Sequence, residues 1–151
     1  MKLNIKKLYK DATIPTRGSD QAAGYDLYAY LEDGSVSINP GESYMFHTGL
    51  CFEIPEGYFG GVFARSGLAS KRNLRPANCV AVIDSDYRGE LLIPIYNDSN
   101  KVQVIEKNDR VAQIVIMPYL SVEFNEVDEL SIASRDQGGF GSTGINKKEG
   151  N

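Results

Sequence analysis

The sequence predicts an all-β chain of the jelly-roll or β-sandwich class. Three observations predict it. Short apolar or alternating runs recur along the chain, separated by Gly, Pro, Asn and Asp turn signals. Helix-compatible sequence is confined to one short stretch. With 151 residues, no internal repeat and no dividing linker, the chain is most simply one domain, long enough to bury a real core.

The expected strands are 5–8, 24–30, 36–38, 44–46, 50–54, 58–64, 80–83, 91–96, 101–105, 110–117 and 122–127. Asn39-Pro40-Gly41 separates the third from the fourth, and Pro55-Glu56-Gly57 separates the fifth from the sixth. Tyr58 and Phe59 read as core residues of a strand. Residues 65–71 follow a turn and carry Ser66, Leu68, Ala69, Ser70 and Lys71, so they predict the one short helix. Pro94 inside 91–96 predicts an edge strand or a bulge. In 110–117 both strand faces are largely apolar, which predicts burial on both sides. Gln113 is the exception there, and its amide needs a backbone or ligand partner.

The formal net charge is −4 and the pI about 5.0, with signs mixed along the chain, which excludes a general nucleic-acid binder. The apolar runs are too short to cross a membrane as helices, and the start of the chain carries no apolar signal region, so a cytoplasmic protein is expected. Cys51 and Cys79 sit in apolar, strand-like contexts and read as two buried, reduced thiols. No cysteine-histidine cluster suggests structural zinc. Lone His47 makes neither a triad nor a metal site and reads as structural.

Three upstream segments can carry chemistry. Asp84 and Asp86 follow an apolar run and would share a face if that run stayed extended. Such a pair can hold a metal or supply a general base, or it can be a solvated turn capped by Gly89. Tyr87 beside it can be a rim residue or a flat wall for a sugar. Arg65, Ser66 and Gly67 lie where a strand meets the helix, which suits an anion, or equally a helix capped by Ser66. Asp26 within an apolar strand must be paired, solvated or near a metal.

Residues 135–144 are glycine-rich and polar, with one arginine and one phenylalanine. They have too little apolar surface to fold alone and read as a flexible lid over a nucleotide. Arg135 can pair with a phosphate, and Phe140 can stack on a base. Residues 145–151 read as a frayed polar tail. The expected organisation is therefore a β domain over 1–134 and an arm over 135–151.

Five segments, in order, resemble the trimeric dUTP pyrophosphatase (dUTPase) family: Ala23-Gly24-Tyr25-Asp26-Leu27, Arg65-Ser66-Gly67-Leu68-Ala69, Asn78 with Val82 through Gly89, Arg110-Val111-Ala112-Gln113, and Arg135 with Gly138 through Gly144. The resemblance covers nearly the whole chain. It implies a jelly-roll-like, distorted β-barrel or sandwich subunit in a symmetric homotrimer. Each active site would then draw on all three chains, the C-terminal arm of one covering a site formed by the other two.

The resemblance also implies roles. Asp84 would activate the water that attacks the α-phosphorus of dUTP, giving dUMP and pyrophosphate with Mg²⁺ as cofactor. Asp26 would act near the metal through water. Arg65, Ser66 and Gly67 would bind phosphates, and Gln113 would contact the phosphate-metal end. Asn78 and backbone groups near Val82 and Ile83 would read uracil. Tyr87 would exclude a 2′-hydroxyl. Arg135 would meet the γ-phosphate, while Phe140, with Gly141 beside it, would close on the base. The enzyme would keep dUTP low and supply dUMP. Ala81 and Ala64 depart from the glycine and proline of many members, the former near the base pocket. A dCTP deaminase of the same fold and a non-enzymatic jelly-roll binding module are the rival readings.

Overall fold

The computed structural model describes residues 1–134 and 136–138. Contacts divide the chain into two compact units, Met1–Ser121 and Val122–Asn151.

The first unit holds β1 (Asn4–Lys7), β2 (Thr16–Arg17), β3 (Tyr25–Tyr28), β4 (Ser35–Ile38), β5 (Ser43–Glu53), β6 (Tyr58–Phe63), α1 (Ser66–Arg72), β7 (Leu74–Pro76), β8 (Ala81–Ile83), β9 (Glu90–Asn97), β10 (Gln103–Glu106) and β11 (Arg110–Pro118). They form three antiparallel sheets, ordered β1-β5-β9-β7, β10-β4 and β2-β3-β11-β6-β8, and none closes into a barrel. The inward residues of all three meet in one core. Phe46, Leu91, Ile93 and Ile95 come from the first sheet, Ile38 and Ile105 from the second, and Leu27, Val62, Val111 and Ile114 from the third. Each large side chain buried this way contributes about 1.5–3 kcal/mol of transfer free energy. The burial of β9 alternates in register with the pleat, so one face is core and the other is free to build a site.

Two expected runs, 44–46 and 50–54, prove to be one long strand. The pairing of β5 with β9 slips between His47 and Cys51. Gly49 lies in that irregularity at φ 69°, where a Cβ would stand 2.8 Å from Ala12 Cβ. The short strands β2 and β7 were not legible as runs. Pro94 lies not on an edge but in β9, between β5 and β7. Its carbonyl accepts from Ala77 N–H just past the end of β7, and a strand residue directs N–H and C=O to the same side. The missing donor therefore faces a stretch where β7 has already ended. Tyr58 packs against the core and Phe59 is half-buried. In β11, Val111, Ala112 and Ile114 are buried, while Val115, Ile116 and Met117 keep partial exposure.

Both cysteines are free thiols, but neither is buried: Cys51 is intermediate and Cys79 is exposed. Cys79 occupies the turn between β7 and β8 at φ 62°, which takes it out of any strand. In the second unit, 122–127 does not form the expected strand. A strand needs a hydrogen-bonded neighbour, and this unit offers none among the described residues. Its Phe124, Leu130 and Ile132 are exposed. Asp136 N–H bonds back to Ala133 O at 3.1 Å.

Candidate functional site

The predicted residues gather in two separate places on the first unit. The first is an open cavity of about 350 Å³ lined by Gly18, Ala22, Gly24, Asp26, Arg65, Ser66, Gly67, Arg110 and Gln113. Three strands and the helix start converge there, because β3 and β6 flank β11 in the sheet and α1 follows β6 directly. Register places Asp26 opposite Gln113, and Gln113 opposite Phe63, one residue before the chain leaves the sheet toward Arg65.

Asp26 is 8% exposed and doubly paired. Arg65 Nε donates to Oδ1 at 2.6 Å, and Arg110 Nη1 donates to Oδ2 at 3.2 Å. The buried carboxylate is thereby compensated, and it aims two guanidinium groups into one cavity. One negative charge against two positive leaves the cluster with an excess of one positive charge, which suits an anion of the phosphate type. Arg110 is half-exposed and remains open to a ligand. The sequence carried Arg110 within a motif but gave it no role. Only the β3–β11 register brings it to Asp26, across an irregularity between Arg110 and Ala112.

Gln113 finds a backbone partner: Nε2 donates to Ala64 O at 2.9 Å, tying the end of β6 to the centre of the sheet. Gly24 makes room for it, since a Cβ there would overlap Gln113 Oε1. Ser66 is not the helix cap. The N-cap position belongs to Arg65, whose side chain turns to Asp26, and no side chain caps α1. Ser66 and Gly67 stand exposed at the first turn. The helix closes on Asn73 at φ 52°, with Lys71 and Arg72 in its last turn.

The second place is the loop from β8 to β9, two strands that belong to different sheets. A small cavity of about 210 Å³ is lined by Val82, Ile83, Asp84, Tyr87, Glu90, Leu91 and Leu92. Asp84 also borders a wider opening with Asp86, Glu56 and Arg88. The run does not stay extended past Ile83. Tyr87 N–H bonds to Asp84 O at 3.2 Å, so Asp84 and Asp86 belong to a turn and are not paired on one strand face. Asp84 stands exposed at the mouth of the small cavity, where a carboxylate can take a proton from a bound water. Tyr87 is 45% exposed and donates its hydroxyl to Glu90 O at 2.9 Å.

Asn78 is exposed in the β7–β8 turn and lines neither cavity. Its carbonyl accepts from Val80 N–H at 2.7 Å, which makes the turn tight. Arg135, Phe140 and Gly141 lie outside the described residues.

Among the described residues no three carboxylate, histidine or cysteine side chains converge as a metal cage. The fit to Mg²⁺ is of a different kind. Both oxygens of Asp26 are engaged by arginines, so direct coordination there would compete with two guanidinium groups, whereas contact through water would not. No helix among the described residues is long and apolar enough to cross a membrane.

The family model described as dUTPase matches residues 10–144. The deoxyuridine 5'-triphosphate nucleotidohydrolase of Nautilia profundicola is 49% identical over 144 residues, covering 95% of this chain and 99% of that protein. The enzyme of the same name from Escherichia phage T5 is 43% identical, covering 94% and 98%. Among solved structures, a mutant dUTPase of Staphylococcus bacteriophage 80alpha with dUpNHpp superposes with a TM-score of 0.86 at 31% identity, covering 95% and 99%. A mutant dUTPase from phage phi11 of S. aureus, described with a structural Mg(II) ion, gives 0.74 at 28%, covering 85% and 98%. With an ordered set of motifs, a jelly-roll-like β fold and this extent of identity, the chain belongs to the dUTPase family.

Proposed function

We propose that this chain hydrolyses dUTP to dUMP and pyrophosphate, with Asp84 as the base that activates the attacking water. The observation that carries the reading is the division of labour on one chain. One cavity holds Asp26, Arg65 and Arg110 and suits a phosphate chain, while the cavity at the β8–β9 loop holds Asp84 and Tyr87 and suits a nucleoside.

The water oxygen bonds to the α-phosphorus as its proton passes to Asp84. The bond to the bridging oxygen breaks, and pyrophosphate leaves. Arg65 and Arg110 neutralise phosphate charge, with Asp26 holding both in place. Ser66 and Gly67 approach the phosphates from the first turn of α1, and Gln113, whose Nε2 is held by Ala64 O just ahead of the helix, contacts the phosphate-metal end. Mg²⁺, when bound to the triphosphate, supplies further charge neutralisation, with Asp26 near it through water.

Uracil is read by Asn78 and the backbone around Val82 and Ile83. Tyr87 walls the deoxyribose so that a 2′-hydroxyl has no room. Arg135, Phe140 and Gly141 belong to the arm, 135–151, that closes over phosphate and base. The two cavities are separate on a single chain, which supports a homotrimer with shared sites; so do the exposed Phe124, Leu130 and Ile132, since large bare apolar side chains mark an interface. We assign the activity to the cytoplasm, where it would limit uracil entry into DNA and supply dUMP for thymidylate.

The test is pyrophosphate release from dUTP with Mg²⁺, beside dTTP, dCTP and UTP, with Asp84→Asn as control. Release from dUTP alone, lost in the variant, is expected. Deamination of dCTP would move the chain to the sister activity. Inertness of a folded trimer would leave a ligand-binding jelly roll.

A further inference from the structure

Glu90, the first residue of β9, is tied at three points. Its Oε1 accepts from Gly49 N–H at 2.8 Å. Its Oε2 accepts from His47 Nδ1 at 2.8 Å, and its main-chain carbonyl accepts the Tyr87 hydroxyl at 2.9 Å. Both partners of the carboxylate belong to the part of β5 where its pairing with β9 slips, and the carboxylate satisfies the Gly49 N–H that the ladder leaves free while the His47 side chain holds its other oxygen. Gly49 could not be supplied by a neighbouring strand residue in the usual way, because its backbone is in the left-handed region. The third tie closes the loop between β8 and β9 onto the start of β9. There a Cβ on Gly89 would stand 2.6 Å from Tyr87 Cζ, so the hydroxyl end of the ring lies close against bare backbone.

We propose that Glu90 is a positioning residue for Tyr87, through which the β5 irregularity sets discrimination between deoxyribose and ribose. The inference rests on the reading of Tyr87 as the sugar wall. The side chain of Glu90 never reaches a substrate in this account. It anchors the start of β9, and that anchor fixes the carbonyl to which the Tyr87 hydroxyl is bound. Gly89 is the clearance that lets the ring lie there. His47 is thereby given a role as one of two anchors of Glu90.

The test compares kcat/KM for dUTP and UTP in the wild type and in Glu90→Ala, Glu90→Gln, Gly89→Ala, Tyr87→Phe and Tyr87→Ala. Glu90→Ala keeps the main-chain carbonyl but frees the start of β9 from Gly49 and His47, so the dUTP:UTP ratio is expected to fall, at most by the about two- to tenfold that corresponds to full loss of one neutral hydrogen bond. Glu90→Gln should recover most of it, because the amide oxygen still accepts from Gly49 and the amide N–H can donate to His47. The double variant Glu90→Ala/Tyr87→Phe should be no less selective than Tyr87→Phe, since Glu90→Ala acts on selectivity only through the placement of the carbonyl that binds the Tyr87 hydroxyl, and Tyr87→Phe has already removed that bond. If Glu90→Ala folds poorly, Gly89→Ala carries the test. It displaces the tyrosine hydroxyl, the far end of a side chain, and leaves the Gly49 and His47 bonds in place. A purely structural role would lower the rates for both nucleotides and leave the ratio unmoved. An unchanged ratio in Glu90→Ala and Gly89→Ala, while Tyr87→Ala lowers it, would overturn the proposal and leave the sugar wall standing. An unchanged ratio in Tyr87→Ala would remove the wall itself and the proposal with it.

Discussion

Arg65 reaches from the cap of α1 to Asp26 in β3, and its Nε–H bonds Oδ1 at 2.6 Å while Nη2–H approaches Oδ2 at 3.5 Å. Asp26 also carries Arg110, so one buried carboxylate orders two arginines that are distant in the sequence. Removing it should cost both order and charge balance. Truncating one partner of a fully buried pair costs about 3–5 kcal/mol. Arg110 is half-exposed and Arg65 a quarter exposed, so water compensates part of the loss here. Asp26→Ala is therefore expected to lower stability by about 1–2 kcal/mol, read from urea unfolding. It should also lower kcat/KM for dUTP by more than about tenfold. An unchanged KM and kcat would separate the arginines from phosphate binding.

Gly24 and Gln113 make a second prediction. In Gly24→Ala the new methyl forces the Gln113 amide to move, and the amide is the flexible end of its side chain. Stability should change by less than about 1.5 kcal/mol, the scale of one neutral hydrogen bond. The bond to Ala64 O would be lost, however, and with it the tie between β6 and the start of α1. The expected signature is a raised KM for dUTP with a small shift in melting temperature. Gln113→Leu should reproduce it.

Asn97 is fully buried and uses its amide completely. Nδ2 donates to Ile38 O and Lys101 O, both at 2.9 Å, and Oδ1 accepts from Ser99 N–H at 2.9 Å and Ser99 Oγ at 2.6 Å. These bonds join β9 to β4 and to the loop before β10. Asn97→Ala leaves carbonyls without donors and is expected to cost about 2–4 kcal/mol. Denaturant unfolding would show a lower midpoint at unchanged slope. A loss below 0.5 kcal/mol, a stated threshold of about half a hydrogen bond, would mean that water replaces the amide.

Lys107 clasps the loop after β1. Its ammonium donates to Asp11 Oδ2 and Glu32 O at 2.9 Å each and lies 5.6 Å from the centre of the Tyr30 ring. The hydrogen bond from Lys107 holds the Asp11 carboxyl below the usual aspartate range. The same bond raises the Lys107 ammonium above the usual lysine range. Burial, then the Asp11 charge, raises the Tyr30 phenol. The signs follow. The Asp11 contribution is present above about pH 3.9, its unfolded value, and fades as pH falls through the lower folded value. The Lys107 contribution is complete below about pH 10.4 and fades as pH rises through the higher folded value. Lys107→Met should therefore lower stability by a constant amount across neutral pH, with the difference from wild type shrinking at both extremes. Asp11 is exposed and Lys107 partly so, and added salt should therefore shrink it too. A difference that peaks at acid pH would contradict the pairing.

Much of the fold was legible because strands announce themselves by local pattern. Runs such as 91–96 and 110–117 alternate or stay apolar between turn residues, and they became β9 and β11. The helix was legible for the same reason. The expected strand at 122–127 failed because the same alternation of Val122 and Phe124 with polar residues needs a neighbouring strand, which pattern cannot supply. Pro94 misled in the opposite way. Proline disfavours a central strand only where its partner needs an N–H, and the early end of β7 removes that need.

The candidate residues divide along the same line. The types and order of Asp26, Arg65, Asp84, Tyr87 and Gln113 were on the page in the sequence, because chemistry depends on which groups a chain carries. Their grouping was not. That Arg110 shares Asp26 with Arg65 depends on strand register across 84 residues of sequence. That Gln113 holds a carbonyl, that Asp84 and Asp86 part in a turn, and that Glu90 binds at once to β5 and to Tyr87 depend on which backbones the sheets bring within hydrogen-bond reach. Sequence alone determined a β-rich chain bearing a particular set of charged and aromatic groups, since propensity and periodicity act between near neighbours. Tertiary structure alone decided which of those groups meet, since register and irregularities in pairing act between residues far apart in the chain.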